Sequence, residues 1–133
     1  MESRVSVLFG LVRAQSALRF PWIKQVKVGF CPLADQHHAK KWRNFAHTNH
    51  RVYTVCFAKA SETELTDEEI LGISAHEIGH IVGIRLRYPE HAVRANPPHW
   101  KEPAEMEANR IAAEVLGFES LRINRRTLQE LSV

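Results

Sequence analysis

Thr66-Asp67-Glu68-Glu69-Ile70-Leu71-Gly72-Ile73-Ser74-Ala75-His76-Glu77-Ile78-Gly79-His80-Ile81-Val82-Gly83-Ile84 decides how this chain is read. Its first four residues have the form of a capping box, with Thr66 as N-cap, Glu69 at the third helical position and acidic side chains where the helix dipole favours them. A helix starts there. Ile70, Leu71, Ile73, Ala75, Ile78, Ile81, Val82 and Ile84 make it apolar over too wide an arc for one exposed stripe, so it runs through the core. On such a helix His76 and His80 project from one face, one turn apart, with Glu77 beside them. That spacing lets two imidazole nitrogens reach one Zn²⁺, which keeps a position for water and lowers that water's pKa from about 15.7 towards ~7. The adjacent carboxylate can take the proton as the water attacks a polarised carbonyl. The implied chemistry is metal-assisted hydrolysis of a peptide or related amide.

Gly72, Gly79 and Gly83 share the histidine side of this helix. A helical glycine costs about 1 kcal/mol against alanine, so the three imply close approach of another backbone to the metal. A catalytic zinc site typically has three protein ligands, and the third must come from elsewhere. A histidine six residues beyond His80 is one solution, but Leu86 stands there. A carboxylate from a later helix is the other, and the stretch from Glu102 to Gly117 supplies that helix, with Pro103 in its first turn and Gly117 at its C-cap. Glu105, Ala108, Asn109 and Ala112 share a face of small or polar residues. Glu105 would ligate zinc, and Asn109, one turn on, would hydrogen-bond a ligating histidine. Glu107 is the rival carboxylate, expected in solvent near Arg110 and Glu114. His91 and His99, in the connection of residues 85–101, are alternative ligands. Together with Tyr88 they are also candidates to stabilise an oxyanion.

The pairing of His76-Glu77-Ile78-Gly79-His80 with Glu105-x-x-Ala108-Asn109-x-x-Ala112, and the order of the segments before them, resembles the gluzincin metallopeptidases. Among these it is most similar to small single-domain members such as the ImmA/IrrE-like proteins and the minimal gluzincins. The likeness covers about residues 25 to 117. It implies His76, His80 and Glu105 as zinc ligands and Glu77 as general base and acid. It also implies a sheet edge strand that holds an extended peptide, for which Asn44 and Ala46 are the candidates. After Gly117 the chain departs from the ImmA/IrrE-like Leu-Leu-Pro-like ending, with Phe118-Glu119-Ser120-Leu121 in its place. The expected fold is α+β, one zincin-like domain over residues 1–133. A short mixed or antiparallel three-stranded sheet packs on an N-terminal helix, the active-site helix and the glutamate helix.

Composition agrees with a small globular domain: 133 residues, 44% hydrophobic and 25% charged. No apolar run reaches the ~18 residues of a membrane span. Val5 to Val12 has the length of a signal-peptide core, but Glu2 before it and Arg13 and Arg19 after it favour an amphipathic helix and a cytoplasmic location. Cys31 and Cys56 lack a Cys-x-x-Cys spacing and are expected as reduced, buried thiols, with a disulfide as the alternative.

Periodicity and breakers give the rest. Residues 3–19 read as a helix with Val5, Leu8, Phe9, Val12 and Leu18 inward, stopped by Pro21. Lys24 to Phe30 reads as a strand closed by Cys31-Pro32, and His37-His38-Ala39-Lys40 as loop. Trp42 to His47 and Arg51 to Ala58, separated by Thr48-Asn49-His50, read as a hairpin. A short basic helix ends the chain. The first of these hairpin strands is the expected edge, able to accept a peptide as a further strand or simply guarded by Lys40, Lys41 and Arg43.

Three function classes follow. The first is a zinc endopeptidase acting on a peptide or protein substrate. The second is a zinc-binding regulatory module without turnover. The third is a basic nucleic-acid-associated protein with a structural zinc, suggested by His37, His38, His47 and His50 among Lys40, Lys41, Arg43 and Arg51. A net charge of +3 gives that third class little electrostatic footprint. Glu77 separates the first class from the others, because a structural site has no use for an unligated carboxylate beside the metal.

Overall fold

The computed structural model describes residues 3–39, 45–49, 51–88 and 101–118. Helix α1 (Arg4–Ala17) is capped by Ser3, whose side chain accepts from the Ser6 N–H. It buries Val5, Phe9, Val12 and Ser16, an i, i+4, i+7, i+11 stripe. Leu18, expected inward, is 81% exposed. It follows the last helical residue and falls off that stripe, so burial never reaches it.

Pro21 does not simply stop the chain. It opens a 3₁₀ helix (Pro21–Gln25) that buries Ile23, so strand β1 is shorter than the alternation suggested and spans Lys27–Phe30. After Cys31, Pro32 starts helix α2 (Pro32–Ala39) instead of a loop, since proline is well suited to a first helical turn. The hairpin exists with its register moved. Strand β2 is Ala46–Asn49 and β3 is Thr54–Phe57, with Ala46 opposite Phe57 and Asn49 opposite Thr54. Thr48 and Asn49, expected in the turn, are strand residues. The turn comes after them because the Asn49 side chain accepts from the Arg51 N–H and Tyr53 takes a left-handed conformation, φ 46°. The sheet is mixed, in the order β1-β3-β2, with β1 parallel and β2 antiparallel to the central β3.

A short helix, α3 (Ser61–Glu64), leads into α4 (Asp67–Arg85). Thr66 and Glu69 form the expected capping box, each side chain meeting the other's backbone N–H. From Ile70 to Gly83 only Leu71 and His80 among the residues of α4 are not buried, as its apolar sequence requires. Arg4 ties the start of α1 to this junction through the Leu65 carbonyl and Asp67. The core lies between α1, the sheet and α4, where the Phe9 and Phe57 rings meet edge to face at 6.4 Å.

The last described helix, α5 (Lys101–Arg110), continues into a π-helical turn (Ile111–Val115). It ends as the glycine suggested: Gly117 has φ 83°, and the Phe118 N–H returns to the Ala112 carbonyl. The α+β class and the three-stranded sheet are as expected. No described helix is long and apolar enough to cross a membrane. The expected C-terminal helix, His91, His99 and Asn44 lie outside the described residues.

Candidate metal centre

Helix α4 presents His76 and His80 on the side that faces α5, and α5 lies against it at very short range. The reason is Gly79. A Cβ built there would stand 2.4 Å from the Ala108 carbonyl oxygen, so only glycine lets the α5 backbone come this close. Among the described residues Gly72 has nothing comparable near it, so the close-approach reading holds for Gly79 and finds no support at Gly72. Gly83 sits within α4, which runs on to Arg85.

The approach brings Glu105 onto both imidazoles. His76 Nε2 lies 2.6 Å from Glu105 Oε2, His80 Nε2 lies 3.0 Å from Oε1, and the two Nε2 atoms are 3.1 Å apart. The rings stand nearly perpendicular, 86° between planes, so their nitrogens converge without stacking. Donor pairs on a tetrahedral zinc lie about 3.3 Å apart, given metal–donor bonds of about 2.0–2.2 Å. The three separations, 2.6, 3.0 and 3.1 Å, each fall within about an ångström of that spacing. Two imidazoles and a carboxylate are also a suitable donor set for Zn²⁺. The residues therefore fit the metal that the sequence implies.

Asn109 stands where the second turn of α5 was expected to place it. Its Oδ1 accepts from His76 Nδ1, which keeps the proton on that nitrogen and turns Nε2 towards Glu105. Electrostatics couple the three donors. Burial alone would lower the affinity of His76 for a proton, but the hydrogen bond to Glu105 and its charge prevail, with Glu77 and Asn109 adding, and raise its pKa to about 9. Burial alone would raise the Glu105 carboxyl, whereas its bonds to His76 and His80 hold it well below the usual carboxylate range. A divalent ion placed among them substitutes for the proton on Nε2 and keeps the carboxylate ionised.

Glu77 is buried and does not belong to this donor group. Its carboxylate accepts from the hydroxyl of Thr48 on β2. Thr48 is the residue that reading the sequence missed. Placed in a turn it has no role, while in β2 it lies opposite Val55 on the sheet face towards α4.

Glu107 requires a correction. It is buried, 2% exposed, and pairs with Arg110 at 3.3 Å. The inward stripe of α5 is Ala104, Glu107, Ala108 and Ile111, so burial of the small residues carries Glu107 in with them. Ala46, a candidate for substrate binding, is also buried, with its side chain facing the core. Only its backbone can meet a peptide. Tyr88 packs half-buried against the core, its N–H bonded to the Gly83 carbonyl. Comparison of the chain with protein-family models, with curated proteins and with solved structures returns no match.

Proposed function

We propose that this protein is a zinc-dependent metalloendopeptidase of the gluzincin type, on a zincin-like domain. The observation that carries the reading is the convergence of His76, His80 and Glu105, with Glu77 buried on the same helix and left out of the donor group. When bound, Zn²⁺ lowers the pKa of a water molecule and polarises a carbonyl oxygen. The protein's own residues do the rest. Glu105 crosses from α5 to complete the donor set, and Asn109 fixes the tautomer of His76. Glu77 accepts the proton of the attacking water and returns it to the departing amine, held in orientation by Thr48.

Strand β2 occupies one edge of the sheet and carries Thr48 over α4. A peptide added along its outer edge would bind through backbone hydrogen bonds, which suits an unspecific grip on an extended chain. Tyr88, His91 and His99 are the candidates for stabilising the oxyanion. The test is Glu77→Gln assayed for zinc content and for cleavage of a denatured protein substrate. Retention of zinc with loss of cleavage, by a factor of about 10² or more, is the expected outcome. Zinc bound by the wild type with no cleavage by either form would favour a regulatory module instead.

A further inference from the structure

The opposite face of the same sheet holds a second group of donors, independent of the first. Cys56 lies on the central strand, paired with His47 on β2 and with Gly29 on β1. Directly paired residues project to the same face of a sheet, and Cys31, two residues beyond Gly29, shares that side. The neighbours Val55 and Phe57 are fully buried on the other face, where Thr48 meets Glu77. The sheet therefore separates Cys31, His47 and Cys56 from His76, His80 and Glu105.

Cys31 Sγ lies 3.7 Å from His47 Nε2, and the three donor atoms all lie within 4.8 Å of one another. Sulfur and nitrogen on one tetrahedral zinc stand about 3.6 Å apart, and two sulfurs about 3.8 Å, from bonds of about 2.3 and 2.0–2.1 Å. Both cysteines are free thiols and half-buried, neither fully enclosed as core cysteines usually are nor joined to each other. Among the described residues a side chain added at Gly29 would meet nothing within 4 Å, so no described side chain fills the sheet face beside Cys56.

We infer that Cys31, His47 and Cys56 form a second metal site, a thiolate–imidazole site for Zn²⁺. Its soft donors set it apart from the carboxylate-containing site on α4 and α5. Three protein ligands leave one tetrahedral position for water or a further ligand. The ion would join the end of β1 to the centre of β3 and to β2. His47 adjoins Thr48, so the ion would hold in place the strand whose hydroxyl orients Glu77.

The test is cobalt titration of the full-length chain, purified without oxygen in the presence of reductant. The expected result is a sulfur-to-cobalt charge-transfer absorption, which imidazole and carboxylate ligands do not give. It should persist in the doubly substituted His76→Ala, Glu105→Ala protein and vanish in Cys31→Ser and Cys56→Ser. If the cysteine variants do not fold, alkylation of the wild-type thiols answers the same question, because bound Zn²⁺ should protect both from iodoacetamide. Saturation with cobalt without the sulfur band, thiols equally reactive with and without Zn²⁺, or a Cys31–Cys56 disulfide in freshly isolated protein would each overturn the inference. None of these results depends on whether the chain cleaves peptides.

Discussion

Asn109 touches the His76–His80–Glu105 group without being one of its three convergent side chains. By accepting the Nδ1 proton of His76 it leaves Nε2 facing Glu105, the atom that would meet an ion. Outer partners of this kind are commonly worth a factor of 10–100 in metal affinity. Asn109→Ala is therefore expected to weaken zinc binding by about that factor, measured by competition with a chromophoric chelator, while His76 and His80 still bind. Thr48 plays the corresponding part for Glu77. A hydrogen bond to a charged group contributes about 1.5–3 kcal/mol, which corresponds to a factor of about 10–100. Thr48→Val should lower kcat by that order with KM and zinc content little changed. A change confined to KM would mean that Thr48 contacts substrate and does not position the base. Asn109 was legible in the sequence because it follows Glu105 by one helical turn. Thr48 was not, since its partner lies 29 residues away and its strand was misplaced by the Asn49 turn. Glu107 was misread for a related reason: helical spacing fixes which residues share a side, but only the packing of α5 fixes which side faces inward.

Among the elements, α4 is the part of the fold most fully written in the sequence. Its capping box, apolar breadth and paired histidines are all local signals, and all appear where expected. The pairing of α4 with α5 is set by a glycine whose meaning is visible only once its neighbour is known. Gly79→Ala places a methyl group against the Ala108 carbonyl, and α5 must move to relieve the overlap. Overpacking of this kind costs about 1–3 kcal/mol. The movement also withdraws Glu105 from the histidines. Gly79→Ala should therefore lose both thermal stability and zinc affinity, whereas Gly72→Ala, with no described residue within 4 Å of the added methyl group, should keep its zinc. Comparable zinc affinity in the two variants would show that the α4–α5 approach does not control the centre. Of the elements that escaped sequence reading, the 3₁₀ helix, α2 and the short α3, the first two begin at a proline. Proline ends one conformation and is equally suited to start the next, so its local signal does not choose between loop and helix.

At the scale of the whole molecule, the three-stranded sheet has a different chemistry on each face. One face meets α4 and brings Thr48 to Glu77, and the other gathers Cys31, His47 and Cys56. The strands and the β2–β3 hairpin were legible from alternation and turn residues, but the parallel pairing of β1 with β3 was not, because it joins segments far apart in the chain. Thus the α4–α5 donor group could be anticipated from spacing, while the cysteine–histidine group could be recognised only after β1 and β2 were seen on either side of β3. That a carboxylate from α5 completes a zinc site begun on α4 is the proposal on which the reading of the first group rests. Its most direct test is bound-zinc analysis of the purified wild-type chain beside Glu105→Ala, with folding of both checked by circular dichroism. One equivalent of zinc fewer in Glu105→Ala than in wild type is expected, and equal zinc in the two folded proteins would overturn the proposal.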